Sequence, residues 1–142
     1  MSIIQTPAPA MLLAARYHEV RQYSMSLVEG LSAEDCQLQS MADASPMKWH
    51  LAHTTWFFET FVLGGLDQPP APFDPAFSYL FNSYYVGVGP RHTRAERGLL
   101  SRPSLEQVLS YRQQVDDYLV QGVGQGETHK KAVRAARTGA AS

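Results

Sequence analysis

The stretch from Ser45 to Leu63 constrains the fold more than any other part of the chain. Ser45-Pro46 opens a helix there, because Ser is a good N-cap and Pro at the first helical position gives up no donor the helix needs. Trp49, His53, Trp56, Thr60 and Leu63 then recur at three- and four-residue steps, and Gly64-Gly65 ends the run. A face with two tryptophans so close together has to be covered, so further helices must pack on it.

Two other segments have that character. From Pro9 to Glu29 the residues Leu13, Tyr17, Val20, Ser24 and Leu27, continued by Leu31, form one apolar stripe that Gly30 closes. Ser104 and Gln107 have capping-box spacing ahead of a helix with the stripe Leu105, Val108, Leu109, Arg112, Val115 and Leu119, in which Arg112 occupies an apolar position. Between these lie a polar connection with Ser32 and Asp35 in capping-box spacing, a loop with Pro69, Pro70, Pro72 and Pro75, a short aromatic helix from Phe77 to Val86, and an arginine-rich loop from Gly87 to Pro103. No strand-like alternation or internal repeat competes. The expected fold class is all-α: three main helices, one short aromatic helix and long loops.

After Val120 the pattern changes. Gly122, Gly124 and Gly126 are expected to break the last helix, and Glu127 to Ser142 holds no aromatic residue. Residues 1–120 are therefore expected to form the helical domain and residues 121–142 a flexible glycine-rich, basic tail. Three such helices would normally be closed by a fourth, which that tail does not supply, so the bundle is expected to be incomplete and to expose an apolar face suited to self-association or a complementing chain.

The chain has 142 residues, enough for one domain, and its formal net charge of -1 argues against nucleic acid or an anionic membrane as partner. No apolar run is long enough to span a membrane, and the first ten residues do not read as a secretory signal. Cys36 is the sole cysteine, which excludes an internal disulfide and a cysteine-based zinc site. A cytoplasmic location is the corresponding expectation.

Two features carry chemistry. His53 shares the inner stripe with Trp49 and Trp56, while His50 lies nearer the edge of that face. An interior histidine either hydrogen-bonds to a carbonyl or hydroxyl, the commoner fate, or binds a metal through one nitrogen while the other is held by a neighbour. Arg91, Arg94 and Arg97 recur every third residue, with His92 among them. They read either as a solvated basic loop or as a clamp for a small anion, since guanidinium groups bind carboxylates bidentately.

The string Ser45-Pro-Met-Lys-Trp-His-Leu-Ala-His-Thr-Thr-Trp-Phe-Phe-Glu-Thr-Phe-Val-Leu63 closely resembles the sulfoxide synthases of ergothioneine biosynthesis. So do Tyr79-Leu-Phe-Asn-Ser-Tyr-Tyr85 and Gly89-Pro-Arg-His-Thr-Arg-Ala-Glu-Arg-Gly-Leu-Leu-Ser-Arg-Pro103. The resemblance implies an N-terminal DinB-like four-helix bundle followed by a further domain, with non-haem Fe(2+) held by three histidines of the bundle. It implies dioxygen-dependent joining of hercynine to the sulfur of cysteine or gamma-glutamylcysteine. By position, His53 matches the first iron ligand, and Arg94 and Arg97 match the groups that bind the carboxylates of the thiol substrate. Arg91 is a further candidate, and His50 falls where no ligand is needed.

The family's other two ligands form a His-x-x-x-His pair on the fourth helix. This chain's histidines are His18, His50, His53, His92 and His129, and Gln125 and Val133 stand four residues either side of His129. The expectation is a truncated chain that is inactive alone. Two alternatives accompany it: a non-catalytic helical binding or dimerisation module, and a DinB-like metal-dependent thiol transferase.

Overall fold

The computed structural model describes residues 8–85 and 87–123. Five α-helices follow in order: α1 (Pro9–Ser26), α2 (Ala33–Gln37), α3 (Met47–Phe61), α4 (Phe77–Phe81) and α5 (Leu105–Val123). Two 3-10 turns, Leu63–Gly65 and Arg94–Leu99, interrupt the connections. Among the described residues there is no strand, only an isolated bridge between Met41 and Ala44, and the all-α class holds.

α3 is the central element. It packs along α5, and α2 and α4 lie against it, while α1 packs mainly on α5. Its buried residues, Lys48, Trp49, Leu51, Ala52, Thr55 and Trp56, spread round more than one side, as a helix with several neighbours requires. Trp49, Ala52 and Trp56 meet Phe77 and Phe81 of α4 and Val108, Tyr111, Val115 and Leu119 of α5 in one core. Each large side chain taken from water there contributes roughly 2–3 kcal/mol.

Both capping boxes form. Ser32 and Asp35 close the first turn of α2, a five-residue helix within what reads in sequence as a polar connection. Ser104 Oγ accepts from the Gln107 amide at 3.1 Å, and the Gln107 side chain accepts from the Ser104 amide at 2.8 Å.

The inward face of α1 differs from the expected stripe. Of that stripe Tyr17 packs on the core, but Val20, Leu27 and Leu31 are exposed, whereas Arg21 is buried and Met25 and Val28 pack on the core. A polar interaction sets this rotation. Arg21 Nε donates to Asp116 Oδ1 at 2.8 Å, Arg21 Nη2 donates to Thr55 Oγ1 at 2.6 Å, and Tyr17 donates to the same Asp116 oxygen at 2.5 Å. α1 carries apolar residues on both sides, so periodicity alone could not fix its phase. Arg112, the irregular position of α5, is buried beside this group and donates to the Leu51 carbonyl at 3.0 Å.

Three boundaries also differ. Ser45 does not cap α3, whose N-cap is Pro46; the Ser45 hydroxyl accepts from Arg97 instead. The short aromatic helix stops at Phe81, where Asn82 turns extended, and Val86 lies outside the described residues. Gly122, expected to break the last helix, lies within the final turns of α5. Of the expected tail, residues 121–142, the first three continue α5, and the rest, with His129, lie outside the described residues.

Candidate functional site

Two side chains one turn apart on α3 hold the end of α4. A helix of five residues leaves its last carbonyls without intrahelical donors. Trp49 Nε1 donates to the Leu80 carbonyl at 2.9 Å, and His53 Nδ1 lies 2.6 Å from the Phe81 carbonyl. A carbonyl only accepts, so Nδ1 carries the proton and Nε2 keeps the lone pair. The His53 ring stacks on Trp49 at 4.7 Å with planes 9° apart, and Trp56 lies 5.7 Å away on the other neighbouring turn.

Burial pushes the His53 imidazole below its ordinary titration range, the bond to Phe81 offsets part of this, and the nearby His50 and Arg97 add to it. At neutral pH the ring is therefore uncharged with Nε2 as its basic nitrogen, the form in which a histidine ligates a metal.

The arginine loop folds over the same tryptophan. Arg97 is buried; its guanidinium carbon lies 3.5 Å from the Trp49 ring centre and its Nη1 donates to Ser45 Oγ at 2.8 Å. Its Nε is buried with no hydrogen-bond partner. Arg94 and Arg91 lie over the exposed Tyr84 ring, at 4.9 and 6.0 Å from its centre. Burial, then the charges of Arg94 and Arg91, lower the Arg97 pKa to about 10, so it stays cationic at neutral pH. Two ion pairs, Arg16–Glu19 and Arg21–Asp116, lie away from this loop.

The sequence candidates thus come together in a particular way. His53 and Arg97 lie against one indole, and Arg94 and Arg91 share a second ring. Their charges are felt at Arg97. His50 is held below its ordinary range by desolvation and by Arg97, and its bond to the Ser45 backbone offsets part of this. His92 places its amide on the Tyr79 carbonyl at 3.0 Å, and its Nδ1 is buried without a partner.

His53 supplies one donor nitrogen. Among the described residues no group of three His, Cys, Asp or Glu side chains could hold a metal ion. These residues alone therefore do not fit a ferrous ion of the three-histidine kind.

Sequence reasoning missed the residues that hold the loop, Gln37, Gln39 and Lys48. A lysine next to Trp49 on the buried side of α3 was the available signal for the last. Nothing in the pattern marked the two glutamines.

Fold and site together define a helix-bundle domain in which an interior imidazole and an arginine of the loop lie against one indole. A model of the DinB superfamily matches residues 16–138, and the chain belongs to that superfamily. No curated protein matches the sequence. No helix among the described residues is long and apolar enough to cross a membrane.

Proposed function

We propose that this DinB-superfamily chain is the thiol-binding, first-ligand portion of a non-haem iron, dioxygen-dependent sulfoxide synthase of ergothioneine biosynthesis. The reading is supported by one juxtaposition: an imidazole with Nδ1 occupied and Nε2 basic, and a buried Arg97 with an unsatisfied Nε, lie against the same indole. A ligand carboxylate at Arg94 and Arg91, which reach the surface, would offset the charges that lower the Arg97 pKa. Cysteine and gamma-glutamylcysteine carry such carboxylates.

Residues 8–123 form no C–S bond by themselves in this reading. The remaining iron ligands and the hercynine pocket come from outside them, on further sequence or a complementing chain. What these residues do is bind the thiol substrate by its carboxylates at Arg94 and Arg97, and present His53 Nε2.

The test is an NMR titration of the purified chain with gamma-glutamylcysteine, with cysteine, and anaerobically with ferrous ion. Expected are thiol-induced shifts at Arg94 and Arg97 and a loss of affinity of roughly tenfold or more on Arg94→Ala, the size of one charged hydrogen bond. Ferrous ion is expected to bind weakly and broaden His53 signals, an effect absent in His53→Ala. Thiol binding unaffected by both Arg94→Ala and Arg97→Ala, or tight iron binding that ignores His53, would overturn the proposal.

A further inference from the structure

The C-terminal half of the arginine loop has its main chain tied down by two amide side chains, Gln37 and Gln39, two positions apart. Gln39 Nε2 donates to the Arg94 carbonyl at 2.8 Å, and Gln39 Oε1 accepts from the Gly98 amide at 2.6 Å. Gln37 Nε2 donates to the carbonyls of Gly98 at 3.0 Å and Leu100 at 2.7 Å. Both ends of the 3-10 turn Arg94–Leu99 are thereby fixed to the exit of α2. The backbone is extended at Leu38, which sends the two glutamines to one side and leaves Leu38 exposed.

The same latch reaches α3. Lys48 is buried next to Trp49, and its Nζ donates to Gln37 Oε1 and, at 2.9 Å, to the Leu100 carbonyl. Gly98 admits the arrangement because it has no side chain: a Cβ there would fall 2.7 Å from Gln39 Cβ. Arg97 lies between the two anchored points, so the height of its guanidinium over Trp49 follows from where Gln37 and Gln39 hold the backbone.

We infer that Gln37 and Gln39 are positioning residues for the cationic site, fixing Arg97 and Arg94 relative to the α3 turn that carries Trp49 and His53. The consequence for thiol binding rests on the proposed function; the placement itself does not. Neither glutamine touches the substrate. They act through the loop backbone, which explains why a segment without charge or metal-ligating groups is so closely engaged.

The experiment follows the Arg97 Nε–H NMR signal, which the indole face shields and burial protects from exchange. Gln39→Met and Gln37→Met keep the side-chain volume and remove the hydrogen bonds. Each is expected to move the Arg97 signal toward the unshielded position and to weaken gamma-glutamylcysteine binding by about fivefold, as loss of a neutral hydrogen bond implies. Gln39→Glu keeps the acceptor for the Gly98 amide but sets a carboxylate oxygen against the Arg94 carbonyl, which it repels, and is expected to shift the signal at least as far as Gln39→Met. An Arg97 signal that stays in place in all three folded variants would overturn the inference. A signal that moves in a chain whose parent binds no thiol would uphold the placement and overturn the functional reading instead.

Discussion

His53 Nδ1 and the Phe81 carbonyl oxygen lie 2.6 Å apart, and that bond decides which nitrogen of the ring can do chemistry. It ties α3 to the end of α4 and fixes the tautomer. Trp49 makes the equivalent bond to Leu80 one turn earlier, so the imidazole is held by its hydrogen bond and by stacking on a ring that is itself anchored.

The first prediction concerns that tautomer. Long-range proton–nitrogen correlation spectra at pH 7.5 are expected to show His53 protonated at Nδ1 and unprotonated at Nε2. The Nδ1 proton should exchange more slowly than those of the exposed His18. An Nε2–H tautomer would rule out a ligating role in the resting chain.

The second concerns the pair that orients α1. Arg21 and Arg112 are both buried, and Asp116 is the carboxylate that Arg21 meets. Asp116→Asn leaves two guanidinium groups in the interior without it, and is expected to cost about 3 kcal/mol, as removal of one member of a largely buried pair does. Tyr17→Phe removes one hydrogen bond to the same oxygen and should cost only about 1 kcal/mol. Urea denaturation of both variants measures the contrast. Equal, small losses would show that α1 is oriented by its apolar contacts alone.

The same pair shows where sequence reading reached its limit. α3 and α5 were legible as helices because their apolar residues recur at helical spacing, and Ser104 and Gln107 cap α5 as expected; α3 ends at Phe61, two residues before the expected Leu63, and Gly64 lies within the 3-10 turn that follows. α1 was legible as a helix but not in its phase, because the residue it buries most is an arginine whose acceptor lies 95 positions away. Ser45 was misjudged for a related reason. Its local chemistry suits an N-cap, but Arg97, 52 residues on, claims its hydroxyl. The histidine and arginines of the candidate site stood out by residue type and spacing. Gln37 and Gln39 act on backbone groups, which every sequence has, so no local pattern reveals them.

A third prediction follows from the contact at Gly98. Gly98→Ala places a methyl group 2.7 Å from Gln39 Cβ and 2.9 Å from its Oε1. The Cβ of Gln39 cannot rotate away as a side-chain end would, so backbone must shift. A loss of about 1–3 kcal/mol is expected, the usual range for overpacking, measured by thermal or urea unfolding. Gly87→Ala, where an added Cβ meets nothing within 4 Å, is the matched control and should be nearly neutral.

The last prediction is a pH dependence whose sign follows from the two histidines of α3. Both titrate below the ordinary value of 6.5 in the folded chain, chiefly because burial disfavours their charged forms. Between that lowered value and 6.5 the unfolded chain binds more protons than the folded one. Their contribution to stability is therefore fully present above pH 6.5 and is lost as pH falls through the folded-state values. The melting temperature should thus be flat near pH 7.5 and fall on acidification into this window. His53→Gln offers an amide donor to the Phe81 carbonyl but cannot titrate, so it should remove part of that fall while leaving the remainder to His50. If His53→Gln melted with the parent's full acid dependence, the imidazole would not be held neutral by its surroundings, and its assignment as a resting ligand would fail with it.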